Sequence, residues 1–156
     1  MRRFILWLIT HGIAVGLGFA LGIYVLPILT APPSPNATML EEMAQDAVYT
    51  GSFTRDLPGS DLFHWGEGKI SLTPTRLIHE GALAPGPDYM AYLVPNFVTD
   101  EAGFLAVKDQ AQVIGPVKTF EGFILDMPDD VNLDNYDTVL IWCEAFSEFI
   151  TAATYR

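Results

Sequence analysis

Apolar residues follow two different patterns along this chain. From Phe4 to Leu29 no charged residue appears, and Thr10 and His11 are the only clearly polar ones. A helix needs roughly 20 apolar residues to cross a bilayer, so this run predicts a membrane-spanning helix within residues 1–30. A cleaved signal peptide has a shorter apolar region, about 7–15 residues, closed by a small-x-small site. Here the run is longer, and Leu29-Thr30-Ala31-Pro32 is a poor cleavage site. An uncleaved signal anchor is the reading that follows. Arg2 and Arg3 precede the span and place the N-terminus on the cytoplasmic side. The remainder is then expected outside: in a bacterial periplasm, or in the lumen or at the surface of a eukaryotic cell.

Residues 31–48 read as a proline-rich linker and a short helix. Ala31-Pro32-Pro33-Ser34-Pro35 is extended and semi-rigid, and Thr38-x-x-Glu41 offers a capping box ahead of Met39, Leu40 and Met43. From residue 49 the period becomes two, which is the signature of strands. Alternating runs are expected over Ala47–Arg55, Gly68–Thr73, Arg76–Ala82, Tyr89–Val94, Gln112–Val117 and Thr119–Asp126. The two around Pro74 form a hairpin, and Gly51 marks a bulge or a close backbone approach. Asn96–Lys108 is irregular and predicts a loop with a short helical turn. The run from Tyr136 to Ser147 is a buried strand, and Glu148–Tyr155 is the last one. Many short strands separated by turns make residues 49–156 an all-β, sandwich-like antiparallel domain.

Alternation sorts the side chains of the Tyr136–Ser147 strand. Val139, Ile141 and Cys143 share one face; Leu140, Trp142 and Glu144 share the other. Cys143 is the only cysteine of the chain, so no internal disulfide forms. A free cysteine is commonly a small hydrophobe filling a core gap. Outside the cytosol, however, a lone thiol must be buried or used, because an exposed one is oxidised. Both readings stay open at this point.

Charge narrows the partners. Beyond the span, six basic residues face nineteen acidic ones, a balance of −13. That argues against nucleic acid and against docking on anionic lipid, both of which need a basic surface. Within the span, Gly12-x-x-x-Gly16 and Gly18-x-x-x-Gly22 are small-x-x-x-small pairs that let helices approach closely. They make a protein partner or a larger membrane complex an expectation.

Other chemistry is weaker. Asp130-x-Asn132-x-Asp134 resembles the start of an EF-hand loop, but Asn135 replaces the required glycine and Ile141 the bidentate glutamate. His64, His79 and Cys143 lack zinc-ligand spacing. A Cys143–His79 pair is conceivable by count alone, although aromatic and acidic neighbours would raise the thiol pKa and weaken it as a nucleophile.

One resemblance gathers the scattered motifs. Gly51-Ser52-Phe53, Gly66-Glu67-Gly68-Lys69-Ile70, Gly86-Pro87-Asp88 leading to Tyr92-Leu93, Ile114-Gly115-Pro116-Val117 and Val139-Leu140-Ile141-Trp142-Cys143-Glu144 occur in series. The stretch from about Tyr49 to Tyr155 resembles the DM-thirteen, or "electron transfer", domain. The resemblance implies a β-sandwich outside the cytoplasm with one characteristic cysteine, here Cys143. It implies redox chemistry at that sulfur, either bare or as ligand to a group such as haem. From the residue count alone, His79 is a weaker candidate at such a group. The contrasting expectation is a non-catalytic accessory or assembly subunit that binds through its glycine-rich helix and acidic domain.

Overall fold

The computed structural model describes residues Met1–Arg156. The apolar run forms one helix, α1 (Arg2–Thr30), with a mean hydropathy of 2.2 over its most apolar window. It is long and apolar enough to cross a membrane, and none of its residues is buried by the rest of the chain. Within it, His11 turns its Nδ1 back to the Trp7 carbonyl at 2.8 Å. After the proline-rich segment comes α2 (Ala37–Ala44). Its cap is Asn36, whose side chain accepts from the Met39 amide at 2.9 Å. The expected Thr38 cap is displaced because an asparagine two residues earlier, in extended backbone behind Pro35, already supplies the acceptor.

Eight strands follow, in two four-stranded antiparallel sheets: an all-β sandwich, as the alternation predicts. They are β1 (Tyr49–Phe53), β2 (Gly66–Leu72), β3 (Arg76–Leu83), β4 (Tyr89–Val94), β5 (Gln112–Val117), β6 (Phe123–Asp126), β7 (Thr138–Cys143) and β8 (Glu148–Thr154). One sheet has the order β1-β2-β3-β6 and the other β5-β4-β7-β8. The hairpin around Pro74 is β2–β3, closed where the Thr73 amide donates to the Arg76 carbonyl at 2.9 Å. A short helix, α3 (Glu101–Leu105), interrupts the irregular section and is capped by Asp100.

Thr119–Asp126 is not one strand. Gly122 takes φ +80°, turning the chain so that only Phe123–Asp126 pairs, with β3. β7 is likewise shorter than the run that predicts it, because residues 144–147 form a tight turn. Gly51 makes the close approach foreseen for it: a Cβ there would collide with the Thr154 carbonyl of β8, where the two sheets meet edge to edge.

The face assignment of β7 holds. Val139, Ile141 and Cys143 join the inter-sheet core with Ile70, Leu77, Leu93 and Ile150. Leu140 and Trp142 point away from it into a second core, closed by Phe104 of α3, Tyr92 and Phe149. β7, which carries Cys143, is therefore buried on both faces and makes a stiff mount for a functional side chain.

Candidate functional site

β7 delivers Cys143 to one end of the sandwich. All six residues of the strand are buried, Cys143 retaining 3% exposure. In register it lies between Tyr89 of β4 and Glu148 of β8. The chain then reverses within four residues, and Ser147 adopts φ +55° to do so. On the adjacent loop Asp88 adopts φ +54°, a conformation Asp tolerates better than most residues, and its carbonyl accepts from the Glu144 amide at 3.0 Å. That link holds the Pro87 carbonyl over the thiol, which donates to it at 3.1 Å.

Burial pushes the Cys143 thiol up, and the Asp88 and Glu148 carboxylates push the same way. The amides of Phe146 and Ala145, turned toward the sulfur, pull down but do not prevail. The sulfur is thus a protonated thiol at neutral pH, as the acidic and aromatic neighbours in the sequence lead one to expect.

Cys143 lines an apolar cavity of about 630 Å³ between this end of the sandwich and the second half of α1. Phe63, Tyr89, Phe146 and Ile150 form its domain wall, while Leu21 and Tyr24 form its helix wall. Tyr24 meets Phe63 edge-on at 6.2 Å. His64 is also at the cavity, oriented by Asp61, whose Oδ2 lies 3.0 Å from Nδ1. In the sequence His64 was visible only as a stray imidazole; the Asp61-x-x-His64 spacing was the available signal.

His79 lies on the other sheet, fully buried between the rings of Phe53 and Phe123. Its Nε2 donates to the Glu67 carbonyl at 3.0 Å and its Nδ1 has no partner. Burial depresses its pKa to about 4, the Glu67 bond opposing only in part. No hydrogen bond joins it to Cys143. The four glycines of α1 show their faces openly: a Cβ built at Gly12, Gly16, Gly18 or Gly22 meets nothing within 4 Å.

A third arrangement was not legible in the sequence. Glu144 accepts from the Tyr92 hydroxyl and pairs with Lys108 at 2.8 Å, on the face of β7 opposite the thiol. Burial raises the Glu144 carboxyl, but Lys108 and Tyr92 outweigh it and hold it below the usual range. The partners are 36 and 52 positions away, so no local spacing announces them.

Haem bound through the sulfur would require a thiolate. The S–H here is engaged by Pro87, and burial and two carboxylates keep the proton on. The residues around Cys143 do not fit a thiolate-ligated haem, and no chemistry is routed through one.

No curated protein and no solved structure matches the chain. The family model described as electron transfer DM13 matches residues 52–155, two thirds of the chain, from β1 to the end of β8. Strands β2 to β8, with Cys143 at the end of the most buried of them, fall within that match, and the chain belongs to the electron transfer DM13 family.

Proposed function

We propose that the chain is a membrane-anchored redox protein in which α1 is an uncleaved signal anchor and residues 49–156 act outside the cytoplasm. In this reading the domain serves electron transfer, or a redox-accessory step, through the bare thiol of Cys143. Residues 31–48 connect the anchor to the domain, and the N-terminus is cytoplasmic. The observation that carries it is the place of Cys143: the one thiol of a DM13 domain, at an apolar cavity shared with the anchor helix. The stiff mount of Cys143 suits a centre that must not rearrange. The test is Cys143→Ser in the detergent-purified full chain, read as electron transfer to ferricyanide from an added reductant. Loss of that transfer, with the melting temperature lowered by no more than the cost of one altered hydrogen bond, about 1 kcal/mol, is expected. Unchanged transfer would overturn the reading.

The two open glycine pairs of α1, Gly12/Gly16 and Gly18/Gly22, favour a second reading, an accessory or assembly subunit held in a membrane complex. Close helix contact in lipid depends on such small residues. Gly16→Leu or Gly22→Leu should then dissociate the chain from its partner on blue-native gels, while Cys143→Ser leaves association intact. Leucine variants that co-migrate with the wild type would exclude helix pairing through these glycines.

A further inference from the structure

The geometry points to the cavity beside Cys143 as a binding site for a lipid-soluble quinone that enters from the bilayer. This deepens the redox reading above and rests on it, for the role of the ligand and for the place of α1 in the bilayer. At about 1.5 Å per residue, a helix of 29 residues is some 43 Å long, against a hydrocarbon core of about 30 Å. With Arg2 and Arg3 at one surface, the last third of α1 stands at the opposite surface. The helix residues that wall the cavity, Leu17, Ala20, Leu21, Ile23 and Tyr24, run from the middle of α1 into that third. The loop tips at the same end of the domain are apolar and face outward: Leu62, Phe63 and Phe146 are 81%, 56% and 50% exposed. The opening therefore faces the outer part of the bilayer rather than bulk water.

What the cavity would hold follows from its polar groups. The Asp61 carboxylate only accepts, so Nδ1 of a neutral His64 carries the hydrogen. Its Nε2 makes no hydrogen bond within the protein. That nitrogen is a free acceptor, suited to a hydroquinone O–H. A plain acyl chain offers it nothing. An anionic headgroup would meet Glu148 in the cavity wall and Asp88 beside it. An apolar tail with an uncharged oxygen-bearing ring satisfies both the walls and the imidazole.

The test is calorimetric titration of the detergent-solubilised full chain, under reductant, with decylubiquinone in its hydroquinone form, whose hydroxyls donate to the imidazole and whose fully substituted ring cannot add a thiol. Saturable binding is expected, weakened about tenfold in His64→Ala, the loss of one hydrogen bond. Ala20→Trp, which fills the cavity from the exposed helix side, should abolish it without touching the domain. Decanol binding as tightly as the quinone, or unchanged quinone affinity in both variants, would overturn the inference. Calorimetry does not use the thiol, so an unreactive Cys143 would sink the redox reading while quinone binding is still decided by the heat.

Discussion

Replacing Trp142 with alanine should destabilise the domain by about 3–5 kcal/mol, the range for emptying a fully buried aromatic site. The indole is completely buried, tilted against Phe104 at 4.8 Å between ring centroids, with the Lys108 ammonium 5.3 Å above it. Phe104 in turn packs edge-on to Tyr92 at 5.1 Å. Removing the central ring takes support from α3 and from the Glu144–Lys108 pair together. Native domains hold only about 5–15 kcal/mol in total. The expected outcome is a melting temperature lower by more than about 10 °C, as a domain of this size loses several degrees per kcal/mol. Trp142→Phe should retain most of the stability. A shift of only a few degrees in the alanine variant would contradict the packing assigned to the outer core.

Acid should unfold the domain through His79. Its pKa in the folded chain is about 4, against an ordinary value of 6.5, because burial disfavours the imidazolium. A depressed pKa stabilises the fold fully only above the unfolded value. As the pH falls from about 6.5 to about 4, the unfolded chain takes up a proton that the folded chain refuses, and stability is lost. At 1.36 kcal/mol for each pH unit, the loss by pH 4 is about 3 kcal/mol. Denaturant unfolding at a series of pH values reads this directly. His79→Gln should flatten the slope between pH 6.5 and 4.5, at the expense of stability at pH 7, since the Glu67 carbonyl and two aromatic rings are fitted to an imidazole. A wild-type slope that persists in the variant would place the titrating group elsewhere.

Much of the architecture was legible because strands declare themselves locally. Alternation in Gly68–Thr73 and Arg76–Ala82, split by Pro74, gave the hairpin. Alternation in Val139–Cys143 put the thiol and Trp142 on opposite faces of the strand, without saying which face meets the other sheet. Gly51 announced a close approach without naming Thr154 of β8 as what it approaches. The failures have equally local causes. Thr119–Asp126 carries a strand-like composition, but Gly122 at φ +80° breaks it, and a backbone dihedral is not written in hydrophobicity. Asn36 took the cap from Thr38 because two acceptors competed for one helix end, and only the chain path decides between them. At the site, the position of Cys143 was readable while its surroundings were not. Pro87, His64 and α1 reach it from distant parts of the chain. Likewise Lys108, Tyr92 and Glu144 meet only because β4, β7 and the segment after α3 pack together.

Titration of the single thiol in the native, detergent-purified chain tests the role of Cys143 most directly. A small neutral maleimide is used with and without denaturant, alongside the absorption spectrum and a Cys143→Ser control. The account predicts a colourless protein whose thiol reacts in the folded state, more slowly than after unfolding, and faster as the pH is raised and the thiolate forms. A thiol that reacts only after unfolding would contradict it, leaving Cys143 as a packing residue and the helix-pairing subunit as the better description of this chain.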